Sequence, residues 1–145
     1  MMDKYEKSVG RNATLILGLT PDPTGLIPVG DAERLKEMGD EINHRFSTPI
    51  VTTSGKKKSL TLKLGHKQRV NYCIIQENIK NGERIRQYKI EAKVNGKWQT
   101  ICNGESVGHK RIEKFNPVET DMVRLTVTEC IALPDIINFS AYSID

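Results

Sequence analysis

The stretch that decides the fold runs Tyr88-Lys89-Ile90-Glu91-Ala92-Lys93-Val94-Asn95-Gly96-Lys97-Trp98. Apolar and charged side chains alternate up to Val94, which predicts a strand with one face in a core and the other in water. Asn95-Gly96 then predicts a two-residue hairpin, because both turn residues must adopt positive φ angles. A second strand would run back from Lys97. The stretch therefore predicts antiparallel β structure.

The same alternation recurs on both sides of this hairpin, with apolar residues at every second position in Leu60, Leu62 and Leu64, in Val123, Leu125 and Val127, and in Ile137, Phe139 and Ala141. We predict eight strands, at 48–53, 59–64, 69–77, 84–94, 97–102, 108–115, 122–130 and 136–143. With no helix among them, an antiparallel β-sandwich or jelly roll is the natural architecture. Trp98 is expected to pack into its core rather than form a sugar-stacking platform. Cys73, Cys102 and Cys130 are expected to be buried free thiols.

Residues 1–46 follow a different pattern. The nearly continuous apolar run at 12–19 predicts a strand covered on both faces, and a loop with two prolines follows it. Leu35, Met38, Ile42 and Phe46 then form the apolar stripe of a helix from Asp31 to Phe46, with Asp31 as its N-cap. One such β-α unit cannot cover both faces of its own strand. We therefore divide the chain into a remnant of a larger domain at 1–46 and a sandwich at 47–145.

Composition and charge narrow the classes of function. The chain has 145 residues, 37% of them hydrophobic, and no apolar run near the roughly 18 residues of a membrane span. Residues 47–145 carry 16 Lys and Arg against 10 Asp and Glu, which could favour phosphates or anionic glycans, although a solvated surface is the simpler interpretation. Lys56-Lys57-Lys58 lacks an interleaved aromatic residue, so nucleic acid is not an expected partner. No His or Cys spacing predicts a metal site, and no cofactor or membrane contact is expected.

Two linked segments resemble α-L-fucosidases. Residues 8–28 and the helix Arg34-Leu35-Lys36-Glu37-Met38-Gly39 resemble the last strand, loop and helix of the family's barrel. The second half resembles the discoidin or galactose-binding-like sandwich that follows the barrel in many members. The motifs that carry this resemblance are Gln76-Glu77-Asn78-Ile79, Gly82-Glu83-Arg84-Ile85, Gly96-Lys97-Trp98 and Val107-Gly108-His109-Lys110-Arg111-Ile112. The chain thus resembles the C-terminal part of such an enzyme.

This resemblance implies a (β/α)8 catalytic barrel that removes terminal α-linked fucose with retention, using an aspartate nucleophile and a second carboxyl group. Both would lie before the region resembled here, so no catalytic residue is assigned to this chain and it is expected to be inactive alone. The implied partners are a fucosylated glycan and the barrel in cis, and the implied location is periplasmic or extracellular. The module would be mainly structural; an autonomous carbohydrate-binding module is the alternative.

The candidate binding residues follow from the order of the strands. If the strands alternate in direction, loops 54–58, 78–83, 103–107 and 131–135 meet at one end of the sandwich. Glu77, Arg84, His109 and Arg111 lie at its rim and are the predicted carbohydrate-binding residues. A structural role for Glu77 and for the His109 region stays open. Residues 14–19 are expected either to fold onto the sandwich or to pair with a second copy in a homodimer, because an apolar strand with free edges invites pairing.

Overall fold

The computed structural model describes residues 1–145, which form two N-terminal helices and one antiparallel sheet folded into a sandwich. The helices are α1 (Met2–Ser8) and α2 (Val29–Phe46). The strands are β1 (Val51–Gly55), β2 (Ser59–Glu77), β3 (Ile85–Val94), β4 (Lys97–Glu105), β5 (Arg111–Cys130) and β6 (Ile136–Tyr142). A short 3-10 turn spans Ile79–Asn81. The mainly β, antiparallel sandwich predicted from the sequence is confirmed.

The sandwich is built by two long strands that belong to both of its layers. The strand order is β1-β6-β2-β5-β3-β4, and every pairing is antiparallel. Layer A contains β4, β3, the second half of β5 and the first half of β2. Layer B contains β1, β6, the second half of β2 and the first half of β5. The prediction of eight strands is wrong, because the segments at 65–68 and 116–121 are bends within β2 and β5, where the pairing register shifts.

The main core lies between the two layers and contains 16 buried residues. It includes the alternating residues predicted from the sequence in β2, β3 and β5, and burying each such side chain stabilises the fold by about 1.5–3 kcal/mol. Ile137 is an exception, since it is exposed while Ile136 is buried. The register of β6 against β2 shifts between Gln76 and Glu77, so that Ile136 faces the core in place of Ile137.

Trp98 lies outside this core. The hairpin register pairs it with Lys93 on the outer face of layer A, and its ring centroid lies 4.1 Å from the Arg124 guanidinium carbon. The prediction that Trp98 packs into the core is therefore wrong. The three cysteines are free, as expected, but only Cys73 is fully buried.

A second apolar cluster covers the outer face of layer B. Tyr72, Ile74, Ile112 and Tyr142 point outward from the sheet, and the α2 stripe packs over them. The Phe46 ring lies edge-on to Tyr72 and Tyr142, with centroids 6.0 and 5.8 Å away. The predicted helix is confirmed. It begins at Val29 after Pro28, so Asp31 lies in its first turn instead of capping it.

The predicted strand at 12–19 is absent. Only Arg11 forms a bridge to the sheet, opposite Arg111 at the start of β5, and residues 13–21 belong to no helix or strand. Leu15 and Leu17 lie near Met38 of α2, while Ile16 is 85% exposed. The chain contains no neighbouring strand to pair with this segment, and it does not fold onto the sandwich. The division into 1–46 and 47–145 stays a prediction.

Candidate functional site

The strand ends bring four loops together at one end of the sandwich, and we call residues 56–58, 78–84, 106–110 and 131–135 the loop cluster. Asp135 connects the loop 131–135 to the loop 78–84. Its backbone carbonyl accepts from the Asn78 amide at 2.8 Å, and its carboxylate accepts from the Asn78 side chain at 3.1 Å. Lys56 Nζ lies 3.5 Å from the same carboxylate. Arg84 Nη1 donates to the Leu133 carbonyl at 2.8 Å. Hydrogen bonds between loops thus fix the shape of this end.

Glu77 forms the buried centre of the loop cluster. Its Oε1 accepts from the backbone amides of Arg84 and Ile85 at 3.0 and 3.1 Å, and its Oε2 accepts from the Gly108 amide at 3.0 Å. Only 2% of Glu77 is exposed. Three amide donors satisfy a buried carboxylate, so the side chain joins the loop before β3 to the loop before β5.

Arg84 and His109 lie on the surface of the same cluster. Arg84 is half-buried, and its guanidinium contacts the loop 131–135 through the Leu133 carbonyl. His109 is exposed, and only its backbone is bound: its amide donates to Asn12 Oδ1 at 2.7 Å, and its carbonyl accepts from Gln76 Nε2 at 3.3 Å. Its imidazole makes no hydrogen bond within the chain. Of the four predicted residues, it is the one whose side chain makes no hydrogen bond within the chain.

Arg111 points away from these loops into a buried polar network. Its Nε lies 2.8 Å from Glu113 Oε1, which also accepts from the Tyr88 hydroxyl at 2.5 Å. Arg11 Nη1 lies 3.0 Å from Glu113 Oε2 and 2.8 Å from the Ile112 carbonyl. The network therefore joins layer A, layer B and the N-terminal segment. The structure brings Glu77, Arg84 and the His109 backbone together and places Arg111 elsewhere.

The network also sets the protonation of its members. Burial alone would raise the pKa of Glu113, but hydrogen bonds from Tyr88 and Arg111 and the positive charges of Arg111 and Arg11 outweigh it and hold the pKa below its usual value. Burial and the Glu113 charge raise the pKa of Tyr88, so its phenol stays a donor. The sequence pattern did not identify Glu113, Tyr88 or Arg11 as members of such a network. The signal available was a charged residue at a core-facing position of a strand, between Arg111 and Phe115.

Apolar side chains also project from the loop cluster. Ile79, Ile131 and Leu133 are exposed on loops of this cluster. Among residues 1–145, no group of three or more His, Cys, Asp or Glu is arranged to hold a metal ion. None of the helices is both long enough and apolar enough to cross a membrane.

Comparisons with known proteins agree with this architecture. The family model described as "F5/8 type C domain" matches residues 31–137. Among curated proteins, Alpha-L-fucosidase 1 of Arabidopsis thaliana is 27% identical, and the match covers 98% of this chain and 35% of that protein.

Solved structures extend the similarity. A protein of Bacteroides thetaiotaomicron VPI-5482, named a "putative alpha-L-fucosidase", is 84% identical with a TM-score of 0.97, over 99% of this chain and 33% of that one. A GH29 fucosidase of Ruminococcus gnavus, in complex with fucose, is 26% identical with a TM-score of 0.84, over 99% of this chain and 36% of that one. The chain thus spans about a third of the length of these relatives. Its homologues are α-L-fucosidases, and with its sandwich matched over most of its length, the chain belongs to the F5/8 type C, discoidin-like domain family.

Proposed function

We propose that this chain is the accessory module of an α-L-fucosidase and that its main role is to complete and support a catalytic barrel in the same polypeptide. The observation that carries the proposal is the exposed apolar segment 14–29, beside a sandwich that buries most of its apolar strand residues. Ile16, Leu26, Ile27 and Val29 are each at least half exposed. Relatives about three times as long match nearly all of this chain. The other two thirds of such a protein would be available to cover the segment.

The substrate class follows from the same relationship. An enzyme assembled with this module would hydrolyse terminal α-L-fucosyl linkages of a glycan, with retention, using two carboxyl groups of the barrel. The module would contribute no catalytic residue and would release no fucose alone. A periplasmic or extracellular location accompanies this proposal, because the glycans concerned are external.

Co-expression tests the proposal. The 145-residue chain is produced alone and together with the preceding two thirds of the Bacteroides thetaiotaomicron relative, and hydrolysis of an aryl α-L-fucoside is measured. We expect no activity from the chain alone, and activity from a co-purifying complex. Ile16→Asp should prevent the complex, because an ionised carboxylate would enter an apolar interface.

Ile131→Asp is the matched control, since Ile131 is also an exposed isoleucine but lies in the loop cluster. It should leave the complex intact. Two soluble parts that do not associate, or equal loss in both variants, would contradict the proposal. Self-association of this chain that Ile16→Asp abolishes would show instead that a second copy covers the segment.

An autonomous carbohydrate-binding module is the second candidate, and the exposed imidazole of His109 favours it. Glycan-array binding by the chain that His109→Ala removes would support this candidate, and a blank array would leave the structural role. Arg111→Ala is less informative than the sequence suggested, because Arg111 also neutralises the buried Glu113.

A further inference from the structure

A cleft lies where α2 ends against the sandwich, far from the loop cluster along β2. Its volume is about 530 Å³. It is lined by residues of α2, β2, β5 and the C-terminal tail, and those that matter for its chemistry are Arg45, Arg69, Tyr72, Lys114, Phe115 and Pro117. The proposed accessory role assigns no task to this cleft.

Three cations from three different elements line the cleft. Arg45 is already neutralised, because Glu41 and Glu6 lie 2.6 and 3.2 Å from its guanidinium. Lys114 is exposed and has no carboxylate within 4.0 Å; its Nζ lies 5.5 Å from the centroid of the Tyr72 ring. The neighbouring Tyr72 side chain raises the pKa of Lys114, and its ammonium is charged at neutral pH.

The Arg69 guanidinium is held in place by hydrogen bonds, but some of its N–H donors have no partner. Its Nη1 donates to the Ile144 carbonyl at 3.0 Å and to Ser143 Oγ at 3.2 Å, while its Nε and Nη2 have no partner within the chain. Asp145 is its one carboxylate neighbour, at 3.8 Å with a fully exposed side chain. Such a contact is weak and easily displaced. A fixed guanidinium with free donors is suited to an oxyanion, which can accept two of them.

The rest of the lining combines hydrogen-bonded polar groups with apolar surface. Asn71 holds the C-terminal tail through two hydrogen bonds with Ile144. Its Nδ2 donates to the Ile144 carbonyl at 2.6 Å, and its Oδ1 accepts from the Ile144 amide at 2.9 Å. Phe115 and Pro117 add half-buried and exposed apolar surface beside the cations. A sugar ring could lay its C–H face on such a surface while its acidic substituent meets Arg69 and Lys114.

We propose that this cleft binds a saccharide that carries an oxyanion, either the carboxylate of a uronic acid or a sulfate ester. The oxyanion contacts Arg69 and Lys114, and the ring lies against Phe115 and Pro117. The saccharide part of this ligand rests on the proposed function, while the oxyanion part rests on the geometry of the cleft alone. The module would then bind an acidic region of a glycan.

The experiment is a titration of the full 145-residue chain followed by nuclear magnetic resonance of its backbone amides. The probes are methyl glucuronide and sulfated N-acetylglucosamine, each beside its neutral counterpart, methyl glucoside and N-acetylglucosamine, and inorganic sulfate. We expect either or both acidic sugars to shift amides at 69–72 and 114–117, and the neutral sugars to bind at least about tenfold more weakly. Which acidic sugar binds tells carboxylate from sulfate.

Lys114→Gln should weaken acidic-sugar binding about tenfold. The matched control is Lys97→Gln, which removes the same charge from an exposed lysine of β4 and should change nothing. Unchanged urea unfolding of both variants shows that they fold. The proposal fails if neither acidic sugar binds, if neutral sugars bind equally well, if inorganic sulfate binds as tightly as the sulfated sugar, or if Lys114→Gln behaves like Lys97→Gln. None of these results depends on whether a barrel associates, so the two proposals fail separately.

Discussion

The sandwich and the segment 14–29 contain similar apolar side chains in very different surroundings. In the sandwich, Phe139 and Leu125 are completely buried between two layers, whereas Ile16 of the segment is 85% exposed. Residues 14–19 of the segment are strand-like in sequence, as the sandwich strands are, but only the sandwich supplies its own ladder partners and its own covering layer. An apolar pattern therefore becomes a strand only where the chain also provides the partner that the pattern requires.

The largest contrast is expected from truncating one apolar side chain in each region. Phe139→Ala should lower the free energy of unfolding by about 3–5 kcal/mol, because it leaves a cavity in the core. Ile16→Ala should change it by less than about 0.5 kcal/mol, because the side chain is already in water. Urea unfolding monitored by circular dichroism measures both. Similar losses in the two variants would show that segment 14–29 is packed in solution.

The next effect concerns the junction between the regions, where Arg11 reaches Glu113. Glu113→Gln should cost about 2 kcal/mol, because Arg111 and Arg11 lose their counter-charge while a hydrogen-bonding group remains. Proteolysis should also become faster near residues 9–13, which depend on this contact.

Glu119→Gln is the control, since Glu119 is an exposed carboxylate of β5 without an ion pair. Unchanged proteolysis in Glu113→Gln would mean that the N-terminal segment is held by other contacts, such as the hydrogen bond of 2.7 Å from Asn12 Nδ2 to Glu83.

The smallest effect is expected at Glu91, a buried carboxylate whose partners all belong to layer A. Burial alone would raise the pKa of Glu91, but hydrogen bonds from Lys89, Arg124 and Thr126 lower it from 4.5 to about 2. Because the folded pKa is depressed, this stabilisation is complete above pH 4.5 and is lost as the pH falls towards 2. Glu91→Gln should cost about 1 kcal/mol at pH 7.

Unfolding measured between pH 7 and pH 2 checks this prediction. The wild-type chain should lose more stability than Glu91→Gln over the acid range, because the variant has no carboxylate to protonate at this position. Parallel curves for the two proteins would contradict the assignment. A steeper loss in the variant would do so as well.

Much of the fold could be predicted because its signals are local. The alternation in β3, the turn at Asn95-Gly96 and the stripe of α2 each depend on neighbours a few residues away. The predicted breaks within β2 and β5 were wrong for a similar reason: polar and glycine residues predict an interruption, yet a strand can bend through them while its partner bends alongside. The environment of the candidate binding residues was less predictable, since Glu77 accepts hydrogen bonds from three backbone amides.

By itself, the sequence determined most of the strands, the helix α2 and most of their apolar faces, because side-chain periodicity is a property of the chain. Only the tertiary structure decided that Arg11 meets Glu113 from 102 residues away, that Glu77 closes the loop cluster, and that Arg69 and Lys114 face one cleft. These pairings depend on strand order, register and bends. Polar contacts of a few ångströms require that geometry, and no local pattern encodes it.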